Sequence, residues 1–199
     1  PEARHYAKLL EQIGQRPDRQ LLQTVMLRSL RQAIYSPENV GHFGLAYESY
    51  THFTSPIRRY PDLLVHRAIK SALATRRYEP GNWEEIGLHC SKTERRADEA
   101  TRDVEDWLKC FYMKDRVGET FEGSISSVVP FGIFVALDGV FVEGLVHVSE
   151  LGQDYFHFDA AAHAMVGERS GKRFRLADRV RVQLARVDME SNRIDFRLA

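Results

Sequence analysis

The sequence of 199 residues has little cysteine, no long apolar run and no excess of charge of either sign. No stretch of about 20 apolar residues occurs, which excludes a membrane-spanning helix. Charged residues interrupt residues 1–30 throughout, so no signal peptide is visible. Hydrophobic residues make up 43% and charged residues 28% of the chain. These values exclude an intrinsically disordered chain and favour one large folded domain or two small ones.

The two cysteines, Cys90 and Cys110, lie 20 positions apart in one predicted helix. A helix of that length separates them by roughly 30 Å, whereas a disulfide requires Cα atoms within about 7 Å of each other. Two thiols that do not pair favour the reducing environment of the cytoplasm. We expect both to be small, buried apolar side chains.

The distribution of charge is more informative than its total. Lys+Arg and Asp+Glu each number 28, so the net charge is zero and does not mark a strongly basic nucleic-acid binder. However, every Lys and Arg after Arg116 lies between Arg169 and Arg197, whereas residues 118–167 contain none. A local basic face binds phosphate even when the total charge cancels.

Helical periodicity dominates the first 116 residues. The predicted helices span 4–12, 18–34, 61 to about 77, and 82 to about 111. Residues 36–59 lack a helical period and are predicted to be loop with short extended pieces. Asn82 and Glu85 resemble a capping box at the start of the fourth helix. Apolar and small residues recur along this helix at spacings of three and four, which predicts one stripe packed on a core and a solvated opposite side.

The pattern changes near residue 117. Five short segments rich in Val, Ile and Phe follow, separated by turn residues, and predict strands at 121–127, 132–137, 144–148, 179–187 and 193–198. Five strands in about 80 residues suit a small closed barrel of the oligonucleotide-binding type. Residues 153–173 form an insertion, in which the Tyr-Phe-His-Phe run at 155–158 is predicted to start a short helix.

Residues 52–62 join two adjacent guanidiniums, Arg58 and Arg59, to hydroxyl and aromatic side chains just before a helix. Arginine holds phosphate in a two-pronged fork, a helix start adds backbone N–H donors, and aromatic rings stack on bases. From the residues alone, two interpretations stay open. The segment is either a phosphate-binding turn or a pair of arginines that form surface ion pairs.

The same segment resembles the signature near the end of the catalytic domain in the ribonuclease II/ribonuclease R/exosome-nuclease family. The resemblance covers essentially the whole chain and continues in separate blocks at 33–39, 41–46, 63–67 and 97–108. It implies an α+β fold. Residues 1–116 would form the helical end of an RNB catalytic domain, and 117–199 a five-stranded antiparallel OB-fold barrel of the S1 type.

The family resemblance implies processive hydrolysis of RNA from its 3′ end, with release of nucleoside 5′-monophosphates. Two Mg²⁺ ions would activate water and steady the leaving oxygen. In the family these metals bind a cluster of aspartates near the start of the catalytic domain, and this chain has no such cluster. Its carboxylate groupings at 98–99 and 103–106 are interpreted as a solvated, salt-bridged helix face. We therefore expect no metal ligands in this chain and no activity from it alone.

The resemblance also assigns roles within the motif. Arg58 is expected to be the catalytic arginine that grips the phosphate near the scissile bond and offsets charge in the transition state. Arg59 is expected to bind RNA or to serve structure. Tyr60 and His66 are expected to pack or to form hydrogen bonds rather than to catalyse.

A second resemblance, to the core signature of S1 domains, lies at 129–135 and 143–150. By position, the expected RNA contacts are Phe131, Phe134, His147 and Arg193. Stacking of a base on an aromatic ring contributes roughly 1–3 kcal/mol and tolerates any RNA sequence, while arginine follows the backbone.

An alternative for Phe131 and Phe134 is burial in the barrel core, since their separation places them on opposite faces of a regular strand. A bend at Gly132 would instead turn both outward. Asp188 is expected either to contact RNA or to orient Arg193.

Two other functions remain open. A free-standing RNA-binding module with a helical adaptor is one, although an adaptor needs no phosphate-gripping turn. A protein-docking piece that contacts RNA-decay or ribosome-rescue factors is the other. The expected partner is single-stranded RNA, with no membrane and a cytoplasmic location. A helical part without its usual partner surface should expose apolar area.

Overall fold

The computed structural model describes residues 3–14, 16 and 19–199, which form four α-helices followed by eight strands. The helices are α1 (Ala3–Ile13), α2 (Arg19–Ser29), α3 (Tyr60–Leu73) and α4 (Trp83–Met113), and the strands are β1 (Thr120–Val129), β2 (Gly132–Leu137), β3 (Glu143–His147), β4 (Phe156–Asp159), β5 (Ala164–Gly167), β6 (Arg173–Arg175), β7 (Arg179–Asp188) and β8 (Arg193–Leu198). The chain divides into two compact units, Pro1–Glu99 and Ala100–Ala199, and α4 contributes to both. Within the described residues, no helix is both long and apolar enough to span a membrane.

Two helices of the first unit end earlier than the sequence predicts. Helix α2 ends at Ser29 instead of residue 34, and the chain beyond it is held by a tertiary contact in which the backbone N–H of Tyr35 donates to Ser91 Oγ (2.9 Å). Helix α3 ends at Leu73 instead of residue 77, because Thr75 adopts a left-handed conformation with φ 54°. The predicted start of α2 at residues 17 and 18 lies outside the described residues.

Helix α4 begins as predicted but buries less of its apolar stripe. Asn82 Oδ1 accepts hydrogen bonds from the backbone N–H groups of Glu84 (3.0 Å) and Glu85 (3.3 Å), which satisfies donors that the first turn leaves free. The predicted packing of the whole stripe is wrong, since its middle and end include exposed apolar side chains: Val104, Trp107 and Phe111. The expectation of exposed apolar area in the helical part is thereby confirmed.

The second unit is built around a closed barrel with the strand order β1-β2-β3-β8-β7. Four neighbouring pairs are antiparallel, but β3 and β8 are parallel, with Leu145 opposite Asp195. The expectation of an entirely antiparallel barrel is wrong at this pair. Strand directions can alternate around a closed ring only when the number of strands is even, so five strands require at least one parallel pair.

Alternation along the strands fills the barrel with apolar side chains. Its most buried members include Ile125, Ile133, Val135, Val146, Val182, Leu184 and Phe196, and the last turns of α4 add Cys110 and Met113. Burying each such side chain contributes roughly 1.5–3 kcal/mol relative to exposure. The five predicted barrel strands are confirmed to within two residues at each end.

The insertion between β3 and β7 forms a three-stranded sheet in the order β4-β5-β6. The predicted helix at 155–158 is wrong. Phe156 of this run is buried and lies 5.8 Å, centroid to centroid, from Phe174, whereas His157 is exposed, which is the alternation of a strand. The small residues that follow form a turn, because Asp159 Oδ1 accepts hydrogen bonds from the backbone N–H groups of residues 161 and 162.

Candidate nucleic-acid interface

In the first unit, a buried carboxylate organises the loop before α3. The side chain of Asp62 is fully buried, and its Oδ1 accepts hydrogen bonds from the backbone N–H of Ser55 (2.7 Å) and from Arg59 Nη2 (2.8 Å). The carbonyl of Ser55 in turn accepts from the N–H groups of Arg58 (3.2 Å) and Arg59 (2.9 Å). Burial alone would raise the pKa of Asp62, but the two hydrogen bonds prevail and hold that pKa below its ordinary value.

The two adjacent arginines have different environments. The Arg59 side chain is only 26% exposed and its guanidinium is bound to Asp62. The Arg58 side chain is exposed, and among the described residues it has no ion-pair or hydrogen-bond partner. The interpretation as a pair of surface ion pairs is therefore wrong. Arg58 carries an uncompensated charge on a loop that Asp62 and Arg59 fix from the inside.

Aromatic side chains flank this loop. The ring of Phe53 stacks on the ring of His66, with 4.4 Å between centroids and 5° between planes. The imidazole Nε2–H of His66 donates to the Phe53 carbonyl (2.9 Å), which confirms a hydrogen-bonding role for this histidine. Phe53 and Tyr60 are both about half exposed, so the segment that contains Arg58 also presents aromatic surface to solvent.

A further aromatic group joins the preceding loop to His52 of the motif, and apart from His52 the sequence did not predict its members. The Tyr35 hydroxyl lies 2.7 Å from His52 Nδ1, and the ring of Tyr50 contacts the rings of His52 and His42 edge to face. Tyr47 stacks on Tyr50. Burial raises the pKa of Tyr35 above its ordinary value. The only sequence signal was the abundance of aromatic residues in 36–59, because the contacts depend on how the loop folds.

In the second unit, Phe131 and Phe134 share the outer face of the barrel. Their rings meet edge to face with 6.3 Å between centroids, and Phe131 is 50% exposed. Ile133 and Val135 point inward and are fully buried. The interpretation of the two phenylalanines as barrel core is therefore wrong, and the bend at Gly132, where φ is 155°, brings both rings to one side.

The neighbouring strand adds an imidazole to this face. His147 lies opposite Gly132, and Leu145 lies opposite Phe134. The Nδ1 atom of His147 accepts from the backbone N–H of Ser149 (3.3 Å), so the neutral ring carries its proton on Nε2. That N–H has no partner among the described residues and is available to a ligand.

The hairpin between β7 and β8 carries the last predicted contacts. Asp188 accepts hydrogen bonds from the backbone N–H groups of Glu190 (3.0 Å) and Ser191 (3.2 Å), which lower its pKa, and from Arg186 Nη2 (3.1 Å). The expectation that Asp188 orients Arg193 is wrong, since its partner is Arg186. Arg193 is exposed at the start of β8.

The carboxylates of α4 do not form a metal site. Asp98 and Asp103 are exposed, and Asp106 pairs with Lys109 (2.7 Å). In the part of the chain that the structure describes, no three His, Cys, Asp or Glu side chains gather so as to hold a metal ion. The described residues thus do not fit a two-metal centre.

Comparison with known proteins gives two family matches. Residues 2–75 match the RNB domain, and residues 114–198 match the S1 RNA binding domain. Ribonuclease R of Escherichia coli K12 is 56% identical over an alignment that covers all of this chain and 26% of that protein. Ribonuclease R of Vibrio cholerae is 49% identical, again over all of this chain and 26% of that protein.

A solved structure agrees with these relatives. Mycoplasma genitalium RNase R in complex with ribose methylated single-stranded RNA superposes with a TM-score of 0.88 and 28% identity. The match covers 98% of this chain and 31% of that one. The chain therefore spans between a quarter and a third of the length of the relatives it matches.

Proposed function

Because this chain, with its RNB and S1 domains, is homologous to ribonuclease R over its whole length, we propose that it forms the RNA-holding part of a hydrolytic 3′-to-5′ exoribonuclease. The proposed product is the nucleoside 5′-monophosphate, released stepwise from single-stranded RNA. The chain supplies two RNA-contacting surfaces, one on each compact unit. Each surface is supported by its own geometry.

The exposed guanidinium of Arg58 is the observation that carries the proposal. Its neighbour Arg59 is occupied by the buried carboxylate of Asp62, whereas Arg58 has no partner among the described residues. An uncompensated guanidinium on a fixed loop can bind phosphate through two parallel hydrogen bonds and stabilise the negative charge that develops on the phosphate during hydrolysis. We assign this role to Arg58.

The barrel face supplies the second surface. Phe131 and Phe134 offer adjacent rings for base stacking, and the free Nε2–H of His147 offers a donor for a base or phosphate oxygen. Stacking is tolerant of sequence, which suits an enzyme that degrades RNA without sequence preference. The relative from Mycoplasma genitalium was solved with single-stranded RNA, which supports the same substrate class for this chain.

The expectation of magnesium rests only on the family resemblance. When bound, two Mg²⁺ ions would activate water and stabilise the leaving oxygen, and we place their ligands outside the described residues. Cys90 and Cys110 are free, buried thiols, which favours a cytoplasmic location. Contact with RNA-decay or ribosome-rescue factors stays a prediction.

The test uses the 199-residue chain and 3′-labelled single-stranded RNA with Mg²⁺, at low and at moderate salt. Binding and mononucleotide release are followed together. We expect binding that weakens with salt and no release. Mg²⁺-dependent release would contradict the placement of the metal ligands. Absence of binding at low salt would contradict the function itself.

Arg58→Ala and Arg76→Ala form a matched pair for the first surface, because both arginines are exposed in the same unit and each substitution removes one charge. A lost phosphate contact weakens RNA binding by about tenfold. We expect that loss for Arg58→Ala and less than about twofold for Arg76→Ala. Equal effects would remove Arg58 from the proposed site.

A stand-alone S1-type RNA-binding module is the second candidate function, because the barrel is a compact unit with its own core. It predicts that Arg58→Ala leaves RNA binding unchanged while substitutions on the barrel face abolish it. The same titrations therefore decide between the two functions.

A further inference from the structure

The outer face of the barrel extends beyond the residues assigned above, across the parallel pair β3 and β8. On β8, Ile194 and Phe196 point into the core, so Arg193, Asp195 and Arg197 point outward. Leu145 lies opposite Asp195. Parallel strands keep the same direction, so two residues further along His147 falls beside Arg197. Two residues back, Glu143 falls beside Arg193.

This register puts the two β8 arginines at opposite margins of the face. Adjacent strands lie about 4.8 Å apart and residues advance about 3.3 Å along a strand, so the Cα atoms of His147 and Arg197 are separated by about 5 Å. The same spacings separate His147 from Arg193 by about 14 Å. The arginine nearer to the imidazole and to Phe131 is therefore Arg197, which the S1 resemblance did not single out.

The charge state of the neighbouring arginines also distinguishes Arg197. The three arginines of β7 all pair with carboxylates: Arg179 with Asp138, Arg181 with Glu122 and Arg186 with Asp188. Arg197 pairs with no carboxylate in the described part of the chain, so its positive charge is not neutralised locally. A phosphate therefore meets a full charge at Arg197 and largely compensated charges along β7.

A neutral side chain fixes this guanidinium in place. Gln183, the register partner of Arg197, accepts the Arg197 Nε–H at its Oε1 (2.7 Å). The amide of Gln183 is itself oriented, because its Nε2 donates to the carbonyl of Gly118 (2.6 Å). This hydrogen bond, which we call the Gln183 brace, uses only the Nε–H of Arg197. Both terminal nitrogens of the guanidinium remain for a ligand, and the positive charge is not cancelled.

Carboxylates make the surface around Arg193 less favourable for an RNA backbone. Glu143 lies beside Arg193 and accepts a hydrogen bond from Ser126 Oγ (2.5 Å), and Asp195 lies between the two arginines on β8. Glu143 therefore borders only the half of the face that contains Arg193, whereas Asp195 lies equally far along β8 from both arginines. No acidic residue lies at the register positions of His147, Gly132 or Gln183, so a polyanion passes more favourably along the Arg197 side.

We propose that Arg197, braced by Gln183, is a phosphate-binding residue of the barrel and that the backbone of single-stranded RNA crosses β8 beside His147. The inference rests on the proposed RNA-binding function and names a residue and a direction within that site. The bases stack on Phe131 and Phe134 while one phosphate binds the two terminal nitrogens of Arg197.

The test measures the affinity of the 199-residue chain for a fluorescently labelled oligouridylate of about 12 nucleotides, as a function of salt. Arg181→Ala is the matched control, because Arg181 is an exposed arginine of the adjacent strand β7 and its loss changes the net charge equally. We expect Arg197→Ala to weaken binding about tenfold and to reduce the slope of log affinity against log salt by about 0.7, the value for one lost phosphate contact with a single strand.

Two milder variants separate the charge from its brace. Arg197→Lys keeps the charge and should retain the wild-type salt slope with a smaller loss of affinity. Gln183→Ala should also retain the slope. A purely structural role for Arg197 would lower the melting temperature without changing the slope, and that outcome would overturn the proposal.

Phe131→Ala separates this inference from the function on which it rests. If Phe131→Ala weakens binding while Arg197→Ala behaves like Arg181→Ala, the phosphate assignment is wrong and the RNA-binding function stands. If Arg193→Ala instead of Arg197→Ala reduces the salt slope, the backbone follows the hairpin and the proposed direction is wrong. If Phe131→Ala has no effect, the proposed barrel face itself fails.

Discussion

The guanidinium of Arg59 lies 2.8 Å from the buried carboxylate of Asp62, while the adjacent Arg58 faces solvent. The two neighbouring arginines therefore have different roles, one structural and one exposed for ligand binding. Arg59 stabilises the loop through its ion pair with Asp62, and the loop holds Arg58 at the surface. The pairing also leaves Arg59 Nε and Asp62 Oδ2 buried with no hydrogen-bond partner among the residues that the structure describes, so the two side chains depend on the hydrogen bond between them and on the contact of Asp62 with Ser55.

We predict that Asp62→Ala destabilises the first unit by about 2–3 kcal/mol, because the substitution leaves a half-buried guanidinium and a backbone N–H without their acceptor. Urea unfolding followed by circular dichroism measures this loss. Asp98→Ala, which removes an exposed carboxylate from α4 in the same unit, should change the stability by less than about 0.5 kcal/mol. Equal losses for both variants would refute a supporting role for Asp62.

We predict that Gly132→Ala costs at least about 3 kcal/mol in stability and disturbs the Phe131–Phe134 pair. A Cβ at this position would lie 2.3 Å from the Val146 carbonyl oxygen, and φ is 155°. Gly139→Ala is the control, because φ is 70° there but no atom lies within 4 Å of the added carbon. Thermal melting of the two variants should show a loss of about 1 kcal/mol for Gly139→Ala. A similar loss at both glycines would show that the close approach to β3 does not matter.

These variants also show what the sequence could predict. The strands of the barrel and the outward bend at Gly132 followed from alternation, from turn residues and from the S1 resemblance. The division of labour between Arg58 and Arg59 did not, because both arginines precede the same helix and only the fold shows which one meets Asp62. The position of Arg197 beside His147 depends on the parallel pairing of β3 with β8, in which the partners Leu145 and Asp195 are 50 positions apart in the sequence. No local pattern specifies the register of this pairing.

The segment after α2 and the strand at Phe156 both differ from the sequence prediction where tertiary contacts are made. Tyr35 gives its backbone N–H to Ser91, and Phe156 packs near Phe174, so tertiary contacts override local preference in both places. A helical period or an aromatic run describes one segment only. It does not reveal which distant residue competes for the same backbone group or ring.

We predict that acid weakens the sheet of the insertion through Asp154. Hydrogen bonds from the hydroxyl and backbone N–H of Ser170, and from the N–H groups of Arg169 and Tyr155, hold the pKa of Asp154 well below its ordinary value of 3.8. The stability that this carboxylate contributes is therefore fully present above pH 3.8 and is lost as the pH falls further.

The measurement compares melting temperatures of the wild type and Asp154→Asn from neutral pH downwards. The wild type should be the more stable protein at neutral pH, and the difference should shrink only below pH 3.8. A difference that stays constant with pH would mean that the charge of Asp154 contributes nothing.

We predict that both cysteines of the native chain react slowly with thiol reagents. Cys90 and Cys110 are buried, and burial raises the pKa of each thiol, which lowers the fraction of reactive thiolate. Titration with a chromogenic disulfide should detect both thiols rapidly in denaturant and neither rapidly without it. Rapid reaction of Cys110 in the native protein would contradict its burial in the barrel core.

The most direct test of the central claim is the affinity of the 199-residue chain for single-stranded RNA when one phenylalanine at a time is replaced by alanine. Phe141 is the control, since it lies in the same unit, in the connection between β2 and β3, and is fully exposed. If RNA stacks on the outer face of β2, Phe131→Ala and Phe134→Ala each weaken binding by about tenfold, whereas Phe141→Ala leaves it unchanged. Equal affinity for all four proteins, or a loss confined to Phe141→Ala, would contradict the account.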